Sequence, residues 1–239
     1  MQNLTNKIAL ITGGSKGIGY GIAASLLAEG MKVAITSRSQ EAAEKAASEL
    51  AKIGKGEVIG IEADVRNFDS QQNAVNVVIQ KWGQLDLLVA NAGIGHFASV
   101  EEITLEQWHE TIDTNLTGVF YSIKAGLEGL KKSKGYFISI SSLAGTNFFA
   151  NGSAYNASKF GVTGFSQAAM LDVRKHGIRV TTIMPGSVAT YFNDHQPNDK
   201  DGWKIQIEDL GQMVVDLMQM NSRTLPSKIE VRPTMPPGA

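Results

Sequence analysis

The sequence predicts an α/β fold: a three-layer, doubly wound parallel sheet in a single domain spanning 1–239. Three observations predict it. Short β-rich runs alternate with longer helical patterns along most of the chain. Runs such as Leu85-Asp86-Leu87-Leu88-Val89-Ala90 are almost continuously apolar, as strands covered on both faces are. The 239 residues, 43% of them apolar, suffice for one such domain, and no linker, repeat or low-complexity tract divides them.

Ile8–Ile11 reads as the first strand, ending in a glycine-rich turn that opens a helix over Ile18–Glu29. A second strand follows at Lys32–Thr36. The next helix, Gln40–Lys52, rests on Glu41–Leu50, almost all strong helix formers, with Gly54 as its stop. Val58–Ile61 is strand, Phe68–Trp82 helix and Leu85–Ala90 strand. Thr104, with Gln107 three residues on, forms a capping box that opens a helix over Leu105–Lys131. Strands at Phe137–Ile140 and Arg179–Ile183 flank a helix at Ala154–Lys175. The polar, turn-rich stretch Tyr191–Lys204 reads as irregular, within a substrate loop over 191–207. A helix at Glu208–Met220 and a strand at Ile229–Val231 close the pattern, and poor order is expected for the tail 233–239.

Composition excludes several function classes. The formal net charge is -1, and no Lys/Arg block offers a surface to nucleic acid or membrane. The chain has no cysteine, hence no disulfide, thiolate metal site or cysteine nucleophile, which fits a reducing, cytoplasmic setting. His96, His109, His176 and His195 are scattered without metal-ligand spacing, so no metal is expected. A strand pattern that begins by Lys7 leaves no leader expected, and no apolar run is long enough to span a bilayer.

Gly13-Gly14-Ser15-Lys16-Gly17-Ile18-Gly19 lies between the first strand and the first helix. Glycines there permit a tight turn and close backbone approach to a pyrophosphate, and the helix N-terminus adds free amides. The spacing alone also fits an ordinary strand-to-helix turn; its context favours a dinucleotide. An NAD site usually carries an acid at the end of the second strand. Met31–Gln40 contains none and offers Ser37 and Arg38 instead. Arg38, with Lys16 in reach, suits a 2′-phosphate, so NADP(H) is expected over NAD(H).

Tyr155 and Lys159 lie one helical turn apart on one face. An ammonium beside a phenol favours the phenolate, and together with a nicotinamide cation close by it brings a group that titrates near pH ~10 toward a useful range.

With Thr12-Gly13-x-x-x-Gly17-x-Gly19, Asn91-Ala92-Gly93, Asn115, Ser142, Tyr155-x-x-x-Lys159 and Pro185-Gly186 in this order, the chain resembles the short-chain dehydrogenase/reductase family from Lys7 to about Thr190. The resemblance implies a Rossmann-type sheet and a catalytic tetrad of Asn115, Ser142, Tyr155 and Lys159. Ser142, not Ser141, has the family's separation from the tyrosine. It further implies adenine contacts at Asp64 and Val65, an adenine-ribose wall at Asn91, Ala92 and Gly93, and a nicotinamide loop from Pro185 and Gly186, with Val188 using its backbone and Thr190 its hydroxyl. The implied reaction is hydride transfer between nicotinamide and a carbonyl carbon. Ser142 binds the oxygen, Tyr155 exchanges its proton, Lys159 makes the tyrosine acidic and holds the ribose, and Asn115 positions a water that links Lys159 to solvent. Around His96-Phe97, Ala144–Phe149 and Tyr191–Lys204 the substrate wall is expected, with Phe148, Phe149, Phe192 and Trp203 as its apolar members. The first reading is an NADP(H)-dependent carbonyl reductase or alcohol dehydrogenase. The runner-up is 3-oxoacyl-(acyl carrier protein) reductase, whose Thr-Gly…Asp-Gly-Gly ending is missing here. A non-catalytic NADP(H)-binding protein is the third. Relatives imply a homo-oligomer, tetramer or dimer, formed through Leu105–Lys131 and Ala154–Lys175, with Gly161 and Gly164 allowing helices close.

Overall fold

The structure, a computed structural model, describes residues 2–236. One sheet holds seven strands: β1 (Ile8–Ile11), β2 (Lys32–Ser37), β3 (Val58–Glu62), β4 (Leu87–Ala90), β5 (Tyr136–Ile140), β6 (Arg179–Pro185) and β7 (Lys228–Val231). All neighbours run parallel, in the order β3-β2-β1-β4-β5-β6-β7. The helices are α1 (Gly17–Ala28), α2 (Gln40–Leu50), α3 (Phe68–Trp82), α4 (Leu105–Ile112), α5 (Gly118–Ser133), α6 (Ser153–Val173) and α7 (Ile207–Gln219).

The period of two along a strand sorts the layers. Ala9 and Ile11 of β1 enter one core with Ile22 and Leu26 of α1 and Leu210 and Val214 of α7. Ile8 and Leu10 enter the other with Val78 of α3, Ile123 of α5 and Val162 of α6. Both faces are therefore covered, as a parallel sheet requires. The strand order reverses between β1 and β4, which leaves a crevice at their C-terminal ends, the ligand position in open α/β sheets.

Local chemistry sets the helix ends. Ser39 accepts from the Ala42 amide to open α2, and Asn67 from the Ser70 amide to open α3. Thr104 and Gln107 form the expected reciprocal capping box. Gly83 ends α3 at φ +81°, a conformation glycine adopts without strain.

The structure corrects the sequence reading in three places. The helix expected over Leu105–Lys131 is split by a π-turn at Asp113–Thr117. That turn holds Asn115, whose side chain bonds to Ile94 and Ser158, and such wider turns concentrate at functional sites. The strand expected from Leu85 begins at Leu87, because the Asp86 carboxylate instead accepts from the Ile8 amide at 2.9 Å and from Lys7 Nζ at 2.8 Å. The helix over Ala154–Lys175 leaves α geometry after Val173 and stops at Gly177, φ +77°. The polar loop after Thr190 is irregular as expected, yet it is organised around buried Asp201. Lys204 Nζ and His195 Nε2 each reach that carboxylate at 2.6 Å and hold it well below the usual carboxylate range. The end of the expected disordered tail, 237–239, lies outside the described residues.

Candidate active site

The crevice starts at the glycine turn. Gly13 and Gly17 take φ +63° and +61°. A Cβ on Gly13 would stand 2.9 Å from Ala92 Cα, and one on Gly19 2.5 Å from Asn91 Nδ2, so the turn packs on the β4 loop only with glycine. Asn91 Nδ2 donates to the carbonyls of Thr12 (2.9 Å) and Gly13 (3.1 Å). Thr12 Oγ1 accepts from the amides of Asn91 and Ala92 at 3.0 and 3.1 Å. The Asn91 amide is thus committed to the turn, and Thr12, quoted above only as part of a motif, is its partner. Exposed Lys16 occupies the N-cap of α1 without a side-chain cap, no acid stands in the first turn, and Ser15 and Ile18 flank it. Uncapped amides at a glycine turn fit a pyrophosphate. Thr190, from the β6 loop, lies 3.6 Å from where a Gly17 Cβ would be.

At the ends of β2 and β3, Ser37 is half-buried and Arg38 exposed. Arg38 makes a long 3.9 Å ion pair with Glu110. Arg66 was not singled out in the sequence. It bonds the Asp64 carboxylate through Nε and Nη2, the closest contact at 2.6 Å, and also reaches Glu110 at 3.7 Å. Its hydrogen bonds lower the Asp64 pKa. Val65 is buried. His96 is not turned toward a substrate: its Nε2 pairs with Glu110 at 2.9 Å.

α6 brings the tetrad together. Lys159 is 5% exposed, and its Nζ donates to the Ile140 carbonyl at 3.0 Å and stands 5.6 Å from the Tyr155 ring centre. Gly93 adjoins it: a Cβ there would stand 3.6 Å from Nζ, an ordinary contact, and a tighter 3.3 Å from Asn115 Oδ1. Burial without a carboxylate partner lowers the lysine pKa to about 8. Burial pushes the Tyr155 phenol up, and the neighbouring Ser142 hydroxyl pulls it back. Burial is the leading cause of both shifts in the protein alone; the sequence expectation joins the lysine to a nicotinamide cation, which is present only with dinucleotide bound.

Ser142 Oγ accepts from the Ala144 amide at 3.1 Å and donates toward the Pro185 carbonyl only at 3.5 Å, so its proton is loosely held. Ser141 is instead buried and bonded to the Lys159 carbonyl and Thr163 Oγ1, both at 3.0 Å. Asn115 is fully buried, with Oδ1 accepting from the Ile94 amide (2.8 Å) and Nδ2 donating to the Ile94 carbonyl (2.9 Å) and Ser158 Oγ (3.0 Å). Ser158, which no sequence pattern marked, donates in turn to the Tyr155 carbonyl at 2.8 Å. The Asn115 side chain therefore ties the β4 loop to α6.

The β6 loop completes the crevice. Gly186 donates to the Val231 carbonyl at 2.8 Å, half-buried Val188 forms a β-bridge to Ile205, and Thr190 Oγ1 accepts from the Phe192 amide at 3.3 Å. Rings stand beside Tyr155: Phe97 at 5.3 Å and Phe192 at 5.7 Å between centres. Phe148, expected in this wall, is 85% exposed, and Trp203 lies under Lys204. Open cavities of about 380 and 350 Å³ occur at the N-terminal ends of the strands, away from the crevice, one lined by Gly30 and Glu57, the other by Asp86 and Arg179. Among the described residues no three metal-ligating side chains cluster, and no helix is long and apolar enough to cross a membrane.

Fold and crevice together define a dinucleotide-binding oxidoreductase. The chain belongs to the short chain dehydrogenase family, whose model matches residues 7–201. It is 37% identical over 194 residues to a trans-4-hydroxycyclohexanecarboxylate dehydrogenase of Sinomonas cyclohexanicum, a match covering 79% of this chain and 75% of that one. It is 38% identical over 197 residues to a 3-oxoacyl-[acyl-carrier-protein] reductase of Synechocystis, covering 82% and 79%. An alcohol dehydrogenase from the archaeon Thermococcus sibiricus, solved with 5-hydroxy-NADP, superposes with a TM-score of 0.90 at 29% identity, covering 98% and 99%.

Proposed function

We propose that the protein interconverts a ketone or aldehyde and an alcohol with NADP(H), Tyr155 serving as general acid and base. The observation that carries this reading is Lys159: an ammonium 5% exposed, with no acid partner and one carbonyl contact, beside a tyrosine at the floor of a nucleotide-type crevice. An unpaired buried charge is unfavourable unless function retains it. Ribose hydroxyls suit its remaining donors. The glycine turn, Asp64, Val65, Asn91–Gly93, Pro185, Gly186, Val188 and Thr190 are the proposed dinucleotide contacts. Bound there, the nicotinamide supplies or takes up a hydride.

The chain's own groups manage the oxygen and its proton. Ser142 turns its weakly held hydrogen from Pro185 to the substrate oxygen as charge develops there. Tyr155, kept protonated by burial, delivers the proton. Lys159, with a pKa of about 8, stays mostly charged at neutral pH and lies within reach of solvent exchange in the working range. Asn115 and Ser158 fix the turn of α6 on which the tyrosine stands, and Asn115 is proposed to position a water that links Lys159 to solvent.

Arg38 is proposed to read the 2′-phosphate, because its only ion pair among the described residues is long and its side chain is 64% exposed. Arg38→Ala is expected to raise KM for NADPH about tenfold or more, the size of a charge-assisted hydrogen bond, and to leave NADH nearly unchanged. Initial rates with both cofactors check this; an equal change for both rejects the assignment. Rates with ketones against an acyl-thioester model separate the carbonyl-reductase reading from the acyl-carrier reading, which the Synechocystis relative favours. Detectable ketone-dependent NADPH oxidation excludes a purely binding role.

A homo-oligomer through α4, α5 and α6 is part of the proposal. Leu105, Trp108, Phe120, Phe160 and Leu171 expose apolar surface there. Gly164 meets nothing within 4 Å where a Cβ would stand, whereas Gly161 packs internally on Leu116. Sedimentation equilibrium at micromolar concentration is expected to give a dimer or larger; a clean monomer contradicts it.

A further inference from the structure

The loops after β4 and β6 each place one phenylalanine against the Tyr155 ring, and the loop after β5 adds a third against Phe97. Phe97 lies 6.0 Å from Phe149 and 6.2 Å from Phe192, and both Phe97 and Phe192 contact the Tyr155 ring. The backbone is shaped to admit them. A Cβ on Gly95 would come within 2.6 Å of Phe192 and 2.8 Å of Phe97, and one on Gly152 within 2.5 Å of Phe149. Phe192 is followed by Asn193 and Asp194, both left-handed at φ +55° and +57°, an uncommon conformation in non-glycine residues. The three rings nevertheless remain 37–48% exposed, so they are not core.

The charge around them has one sense. No ring in this cluster contacts a cation other than Lys159. His195 and Lys204, the loop's half-buried basic groups, are both bound to Asp201, and the residue two beyond Phe192 is the anion Asp194. Among the described residues no cation stands over the rings of Phe97, Phe149 or Phe192.

We propose that Phe97, Phe149 and Phe192 form an aromatic clamp that selects an uncharged carbonyl substrate bearing a planar aryl group next to its C=O. This rests on the carbonyl-reductase reading above and names its substrate class. An aryl face against two rings gains from offset or edge contacts that a saturated ring of equal size does not make.

The test uses the NADPH complex of Tyr155→Phe, which binds without turnover and keeps the ring. Calorimetry should show acetophenone binding about tenfold tighter than cyclohexyl methyl ketone, and at least tenfold tighter than 4-acetylbenzoate. Adding Phe192→Leu should reduce the aryl preference about tenfold while changing cyclohexyl methyl ketone little. Equal affinities for the two neutral ketones, or an equal loss for both in the leucine variant, overturn the clamp. Initial rates with the wild-type protein are read in parallel. An aryl preference in binding, with no reduction of any ketone, keeps the clamp and refutes the catalytic reading; reduction of both neutral ketones with no aryl preference does the reverse.

Discussion

Lys159→Met is expected to stabilise the protein at pH 7 in the absence of dinucleotide while reducing turnover by two orders of magnitude or more. The wild-type ammonium is buried, and burial lowers its pKa from 10.5 to about 8. That shift corresponds to about 3 kcal/mol, at roughly 1.4 kcal/mol per unit. Losing the bond to the Ile140 carbonyl offsets about 1 kcal/mol. The net is a gain of about 2 kcal/mol, several degrees in Tm for a domain of this size. The pH dependence has a fixed sign. Between about pH 8 and 10.5 the unfolded wild type binds a proton at this site that the folded protein does not, so wild-type stability from this group rises with pH. The advantage of the methionine variant is therefore full below pH 8 and lost as the pH approaches 10.5. Thermal unfolding of both proteins across that range checks it; a methionine variant less stable at pH 7 is the contrary result. Stability given up for a charged group in a site is the usual mark of function over fold.

Tyr155→Phe is expected to lower kcat by about 10²–10⁴, the range removed with a positioned general acid. The ring keeps its contacts with Phe97 and Phe192, and the hydroxyl donates no hydrogen bond that holds a loop together. Folding and dinucleotide affinity should therefore stay within about twofold. Proton delivery is a transition-state interaction, so kcat and kcat/KM should fall together. A variant with raised KM and intact kcat points to a tyrosine that only binds.

Much of this was legible in the residues. The strand at Leu85–Ala90, the glycine turn and the Thr104 capping box each carry a local signal, and each appears in the structure with at most small shifts of boundary. Tyr155 and Lys159 are four apart on a helix, so their shared face follows from the helical period alone. What was not legible is contact between distant segments. The π-turn at Asp113–Thr117 looks like uninterrupted helix in sequence because Asn115 is fixed by Ile94 and Ser158, partners 21 and 43 residues away. Arg66 escaped notice because exposed arginines are common; only its forked contact with Asp64 singles it out. The balance of desolvation against attraction at Lys159 depends on burial depth, which a spacing of four does not encode. Of the rings named for a substrate wall, Phe149 and Phe192 pack on Phe97, while Phe148 is exposed, a difference set by loop conformation that composition does not encode.

The central claim is that the Tyr155 hydroxyl hands its proton to the reacting oxygen. A single turnover measures it directly: Tyr155→Phe saturated with NADPH is mixed with a ketone the wild type reduces, and loss of nicotinamide absorbance is followed. The account predicts normal cofactor binding and a rate at least a hundredfold below wild type. A rate equal to wild type, with the cofactor bound, would contradict it.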